Sequence, residues 1–285
     1  MPIGYAQRSA GGGHHTMRIL FFGDIVGRPA RVTLLRELPK LAAEYGADYI
    51  VGNAENASGG VGVNLANATQ LLEAGFDALT GGNHTFQAAD YVTLFERFPQ
   101  VLRPANYPGQ LPGKGHVLLR KEGLPPLGVV SMLGQIFMDP VDDPYGLVLR
   151  LVCDLRQETN CILVDMHCET TSEKYGMGLL LDGHVSAVVG THTHVQTADE
   201  RILPGGTAFI CDAGPSAVAH SLIGMDAEKA LRRLTTKLPI RMEVARGPVK
   251  VCGVAIEIDP ATGRAITIER IQRMYGEPKE TGADS

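Results

Sequence analysis

The stretch VSAVVGTHTH, residues 185–194, decides how this chain is read. A short apolar run of this kind is a buried strand. Its carboxyl end then delivers two imidazoles, His192 and His194. Spacing of i, i+2 puts both rings on one face of an extended segment. Neutral imidazoles placed together can hold a metal ion, whereas protonated ones repel. A pair of surface histidines at a strand end is the plain alternative, and this stretch alone leaves both open.

Working outward, the same construction recurs. RILFFG (18–23) is a buried strand that runs into Asp24. ADYIVGN (47–53) leads to Glu55 and Asn56, and FDALTGG (76–82) leads to Asn83 and His84. NCILVDMHC (160–168) carries Asp165 and His167, with Glu169 next. Taken singly, each has a bland reading: Asp24 as a helix cap, Asn83 as a turn residue, His167 as a satisfied core histidine. Five strands that all end in oxygen or imidazole donors place those donors on one rim, where open α/β sheets bind ligands.

Between the strands lie helical patterns. Residues 29–46 form one, with Pro29 in its first turn, Gly46 at its end and Pro39 as a kink or break. Others cover 64–75, 87–98, 146–158 and 226–238. The middle is richer in strands (114–123, 126–133). A hairpin turns at Gly205-Gly206, and the chain closes with a strand pair bracketing PATGR, 260–264. Strand–helix alternation followed by paired strands predicts an α/β domain with two packed sheets and helices outside.

Composition bounds the function. The chain has 285 residues, 44% hydrophobic and 20% charged, with a net charge of −5. It has no basic block, so a long nucleic acid is not the expected partner. No apolar run reaches ~18 residues, so no membrane span is expected. The five cysteines are scattered without CxxC spacing, which fits a reducing cytoplasm and neither a disulfide framework nor a zinc knuckle. Residues 1–16 read as a disordered N-terminal extension, with His14 and His15 outside any site, and 17–285 as a single domain.

Asp24, Glu55, Asn56, Asn83, His167, His192 and His194 are the candidate metal ligands. Carboxylates, amides and imidazoles without a thiolate suit manganese or iron, with zinc or magnesium possible. They are too many for one tetrahedral ion and enough for two sharing a bridging carboxylate. Two ions ~3.5–4 Å apart are a device for in-line displacement at phosphorus.

GDIVGRPAR, NAENASGG, GGNHTF, RPANYP, ETTSEK, VVGTHTHVQTADERILPGGTAFICDAG and GVAIEID together resemble the YmdB-like branch of the calcineurin-like metallophosphoesterases, from Met17 to about Arg273. The resemblance implies a four-layer αββα sandwich of two mixed sheets flanked by helices. It implies one metal on Asp24, Glu55, Asn56 and His194, and another on Glu55, Asn83, His167 and His192, with Glu55 bridging. The wider superfamily has Asp-x-His after the first strand; here Val26 stands third and Asn56 takes the role. The resemblance further implies a homo-oligomer and hydrolysis of cyclic nucleotides, 2′,3′-cyclic AMP first among them.

The chemistry expected is attack on phosphorus by a metal-bridging hydroxide, with His84 as general acid on the leaving ribose oxygen. An orienting role for His84 is its alternative. A broader phosphatase or nuclease, or a metal-bound regulatory or scaffold protein with incidental turnover, are the other readings. Arg28 is a candidate phosphate contact, and Arg103 shapes the pocket or braces a loop. Asp165 and Glu169 are expected to orient His167, and Thr191 and Thr193 to face packing. One segment departs from the family: PSAVAHSLIGMD from Pro215, with Ala217, Val218 and His220 where the family differs.

Overall fold

A computed structural model of the chain describes residues 16–278. The expected N-terminal extension, with His14 and His15, lies outside the described residues apart from Thr16.

Strand β1 (Met17–Phe22) is apolar on both sides, which suits only the middle of a stack. Leu20 and Phe22 face helices, while Met17, Ile19 and Phe21 face a second sheet. Helix α1 (Gly27–Tyr45) follows, and its Ala30, Leu34, Leu38 and Leu41 pack on the β1 side of that helical layer. It stops at Gly46, whose φ of 61° a glycine adopts without strain. Pro39 neither breaks nor ends it. The proline is exposed, so its ring displaces no core side chain. Burying several leucines, at about 1.5–3 kcal/mol each, outweighs a helix penalty of about 3 kcal/mol.

β2 (Tyr49–Asn53), α2 (Leu65–Glu73), β3 (Ala78–Thr80) and α3 (Tyr91–Arg97) complete the first run. β4 (His116–Leu119), β5 (Leu127–Leu133), α4 (Pro144–Leu155), β6 (Ile162–His167), α5 (Thr171–Leu180), β7 (Ala187–Thr191), β8 (Arg201–Ile202) and β9 (Ala208–Ile210) form the second. The chain then returns through β10 (Ala217–Val218), α6 (Ala227–Thr236), β11 (Val249–Ile258) and β12 (Ala265–Tyr275).

The first sheet runs β10-β11-β1-β2-β3 with β12 on β11, and the second β4-β5-β6-β7-β9-β8. β1, β2 and β3 are parallel, as are β5, β6, β7 and β9, while β11 and β4 pair antiparallel to their neighbours. Both sheets are therefore mixed. One apolar layer joins them, through Phe21, Val51 and Ile256 on one side and Val129, Leu163 and Val189 on the other. A second lies under α1, α2 and α3, and a third under α4 and α5. The architecture is a four-layer αββα sandwich.

Two elements escaped the sequence pattern. Helix α5 is diluted by Gly176 and Gly178, yet Thr170 caps it, accepting from Glu173 N–H at 3.4 Å and donating to its carboxylate at 2.8 Å. Gly178 is small because a Cβ there would lie 2.6 Å from the Phe209 ring. The two-residue β10 lies inside the divergent segment and pairs with Val249 and Lys250.

Candidate metal centre

The carboxyl ends of β1, β2, β3, β6 and β7 meet at one rim, and all seven expected ligands arrive there. Three of them, Asp24, Asn56 and His194, form one group. His194 Nε2 lies 3.2 Å from Asn56 Nδ2 and 3.5 Å from Asp24 Oδ1. Asn83, His167 and His192 form the other, with His167 Nε2 3.2 Å from Asn83 Oδ1 and 3.1 Å from His192 Nδ1. Glu55 stands between: its Oε1 is 3.0 Å from His167 Nε2 and 3.2 Å from Asn56 Nδ2. Asp24, Glu55 and His167 are buried.

The loop after β7 is not extended as its spacing suggested. His192 has φ 96° and His194 φ 57°, so the chain turns between them and their rings reach different groups. The loop is caught from two sides, since His192 N–H donates to Asp24 Oδ2 at 3.0 Å and His194 Nδ1 lies 2.9 Å from the Ile223 carbonyl. Ile223 belongs to the divergent segment, which therefore supports the site directly.

Hydrogen bonds assign the imidazole tautomers. Thr191 gives its one hydroxyl proton to Asp165 Oδ1 at 2.7 Å, so its oxygen is left to accept from His167 Nδ1 at 2.9 Å. A neutral His167 then carries a bare lone pair on Nε2. His192 Nε2 sits 3.0 Å from Glu169 Oε2, which accepts from the Nε2–H of a neutral ring and leaves Nδ1 bare. Four lone-pair atoms, from His167, His192, Glu55 and Asn83, thus converge in an arrangement that a cation can satisfy. Glu55, His167 and His192 offer atoms that all lie within 4.8 Å of one another, a spacing that a metal ion can satisfy. Asn56 turns its amide nitrogen to the cluster, and ligation through its oxygen requires the amide to turn over.

The field agrees. Burial by itself raises the Asp24 carboxyl, but the His194 and His167 imidazoles bring it down to about 2. Burial also raises Glu55, yet His167 and His84 hold it well below the usual carboxylate range. Burial lowers His194, and Asp24 more than offsets this, lifting it to about 9. Burial and the neighbouring His167 push His192 down to about 4. The carboxylates draw positive charge into the site.

Supporting residues differ in part from expectation. Asp165 reaches His167 through Thr191, whereas Glu169 contacts His192 and not His167. Thr191 and Thr193 do not face apolar packing: one bonds His167, and the other bonds Asp212. Asn53, unnoticed in sequence, donates to Asp165 at 2.9 Å and accepts from Glu55 N–H. Arg103 braces a loop, bonding the carbonyls of Pro104 and Ala105. Arg28 lies in the first turn of α1 and lines a cavity of about 950 Å³ with Arg31, Asn64 and Arg241, beside the ligand cluster's NAENASGG segment. Val26 packs where a Cβ on Gly224 would meet it at 2.6 Å, and is no ligand. His84 sets Nδ1 3.0 Å from Asn56 Oδ1 and 3.5 Å from Glu55 Oε1, with 34% of its side chain exposed. Cys168 keeps its Sγ on the Thr170 carbonyl, away from the donors.

Residues 20–271 match the sequence model of a family described as YmdB-like protein. The chain belongs to the YmdB-like family. Among the relatives of this YmdB-like chain is the 2′,3′-cyclic-nucleotide 2′-phosphodiesterase of Bacillus subtilis (strain 168), 43% identical over 255 residues, covering 90% of this chain and 96% of that one. A putative phosphatase/phosphodiesterase of Mycoplasma pneumoniae is 31% identical over 93% of this chain and 96% of its own length. Among solved structures, a hypothetical protein from Thermus thermophilus superposes with a TM-score of 0.84 at 37% identity, covering 92% of this chain and all of that one. A novel phosphatase from Mycoplasma pneumoniae gives 0.86 at 29% identity, covering 93% and 96%.

Proposed function

We propose that this YmdB-like chain is a phosphodiesterase for 2′,3′-cyclic nucleotides, working with two divalent cations, manganese or iron. The class, a phosphoric ester hydrolase, follows from the family. The observation that carries the finer reading is the pairing of donors: Asp24, Asn56 and His194 on one side, Asn83, His167 and His192 on the other, and Glu55 Oε1 within 3.2 Å of both. The oxygen and nitrogen donor set, with Cys168 turned away, supports a harder metal over a thiolate-selected one. The activity for which the Bacillus subtilis relative is named supports the substrate.

Cations held there would acidify a shared water and neutralise charge on the phosphoryl oxygens. The remaining work falls to the chain. Asp165, through Thr191, fixes the His167 tautomer, and Glu169 does the same for His192. His84, partly exposed beside Asn56 and Glu55, protonates the ribose oxygen as it leaves.

Other features support narrower statements. The five cysteines are free thiols, in keeping with a reducing cytoplasm. Among the described residues no helix is long and apolar enough to cross a membrane. The layer shared by both sheets supports reading the described part of 17–285 as a single domain, residues 279–285 lying outside the described residues. Leu231, Leu234 and Leu238 stand 54%, 52% and 53% exposed along α6 and just past it, a stripe that supports self-association into a homo-oligomer.

The test is hydrolysis of 2′,3′-cyclic AMP by manganese-loaded protein, with His84→Ala beside it. The variant is expected to retain both ions and lose about 10²–10⁴-fold in turnover. Loss of metal in the variant would make His84 a ligand and remove it as the acid. No turnover by the metal-loaded parent would overturn the substrate.

A further inference from the structure

The turn that carries His192 and His194 runs against its own backbone preference, since both residues have positive φ. Something outside the turn must hold it. Asp212, after β9, does so at the residue between them. Its Oδ2 accepts from the Thr193 backbone N–H at 3.1 Å and from the Thr193 hydroxyl at 2.6 Å, while Oδ1 accepts from Gly214 N–H at 2.8 Å.

The same Oδ2 lies 2.8 Å from Lys174 Nζ of α5. The two side chains are 1% and 0% exposed. An ion pair this deep is costly to desolvate, and well-packed apolar residues of similar volume are often at least as stabilising. What apolar residues cannot do is accept two hydrogen bonds from Thr193. Lys174 supplies the counter-charge that lets a carboxylate sit there. The passage for its stem is built in: a Cβ on Gly190 would lie 2.8 Å from Lys174 Cδ and 1.8 Å from the Cys211 carbonyl oxygen. Three segments of the sequence thus converge on one job, ETTSEK with Lys174, VVGTHTH with Gly190 and Thr193, and FICDAG with Asp212.

We infer that Lys174 and Asp212 are a positioning pair, which through Thr193 sets where His192 and His194 present their nitrogens and so the spacing of the two cation-binding groups. This rests on the reading of those histidines as ligands under the proposed function. Neither Lys174 nor Asp212 is assigned contact with substrate or cation.

Thr193→Val deletes the hydroxyl link but keeps the ion pair and the branched side chain; Thr193→Ser keeps the hydroxyl. Lys174→Met removes the counter-charge. Two readouts separate positioning from general stability: amide hydrogen exchange of residues 190–197 in metal-free protein, and a Mn²⁺ binding isotherm on protein shown to be folded by circular dichroism. Thr193→Val and Lys174→Met are expected to exchange faster over 190–197 and to bind Mn²⁺ about 10–100-fold more weakly, with Thr193→Ser near the parent. Parent-like exchange and affinity in Thr193→Val, or a lower melting temperature with unchanged Mn²⁺ affinity, would overturn the inference. Should Lys174→Met not fold, Thr193→Val decides. If the parent itself takes up neither Mn²⁺ nor Fe²⁺, the proposed function falls, and the exchange comparison alone decides whether the Lys174–Asp212 pair holds the turn.

Discussion

A methyl group on Gly82 would lie 2.0 Å from Glu55 Oε2 and 2.4 Å from His167 Nε2. Glycine is therefore required between β3 and Asn83 for a reason of space. Gly82→Ala is expected to leave the fold, at a cost of about 1–3 kcal/mol, but to lower metal occupancy and cut turnover. Metal analysis beside circular dichroism checks it, and full occupancy would show that the site yields. Glu55 carries a different expectation. Because Oε1 faces both donor groups, Glu55→Ala should weaken both ions together, read as metal stoichiometry after dialysis. Loss of one ion alone would rule out a bridge. At this scale the candidate ligands were legible, because each lies at or just past the end of a strand, most with glycine close by. Their supports were legible only in part: Asp165 was expected behind His167 and reaches it through Thr191, but nothing in the spacing of Thr191, Thr193 or Glu169 says which neighbour each will meet.

At the scale of elements, α1 shows how tertiary burial overrides a local penalty. Pro39 sits on the exposed side of a helix anchored by Leu34, Leu38 and Leu41. Pro39→Ala restores a backbone donor without touching the core, and should stabilise the protein by about 1–3 kcal/mol in urea denaturation. A destabilised variant would mean that the ring packs usefully or that its rigidity in the unfolded chain matters more. The amphipathic helices and apolar strands were legible from periodicity. Helix α5 was not, since Gly176 and Gly178, the second kept small by the Phe209 ring, weaken its pattern. Its capping Thr170-x-x-Glu173 was the available signal.

At the scale of the whole molecule, burial sorts the cysteines. Cys153 is exposed and the other four are buried. Burial lifts the thiols of Cys161, Cys211 and Cys252 to about 11, and that of Cys168 further still. A thiol with a raised pKa has almost no thiolate at pH 8, and a buried one is also unreachable. Native protein should therefore give one fast-reacting thiol with a disulfide reagent at pH 8, and five in denaturant. A second fast thiol in the native state would mean that one of the layers opens readily.

Alternating apolar strands and helices were enough to determine the layered α/β class and the rim on which donors gather, because strand period and chain direction are local properties. Which donors stand side by side was decided by folding. His192 and His194, two residues apart, part company because the turn between them takes positive φ, and that turn is held by Asp24, Ile223 and Asp212, which lie far along the chain from one another. Contacts of that kind depend on how two sheets stack, and no period in a sequence records the stacking.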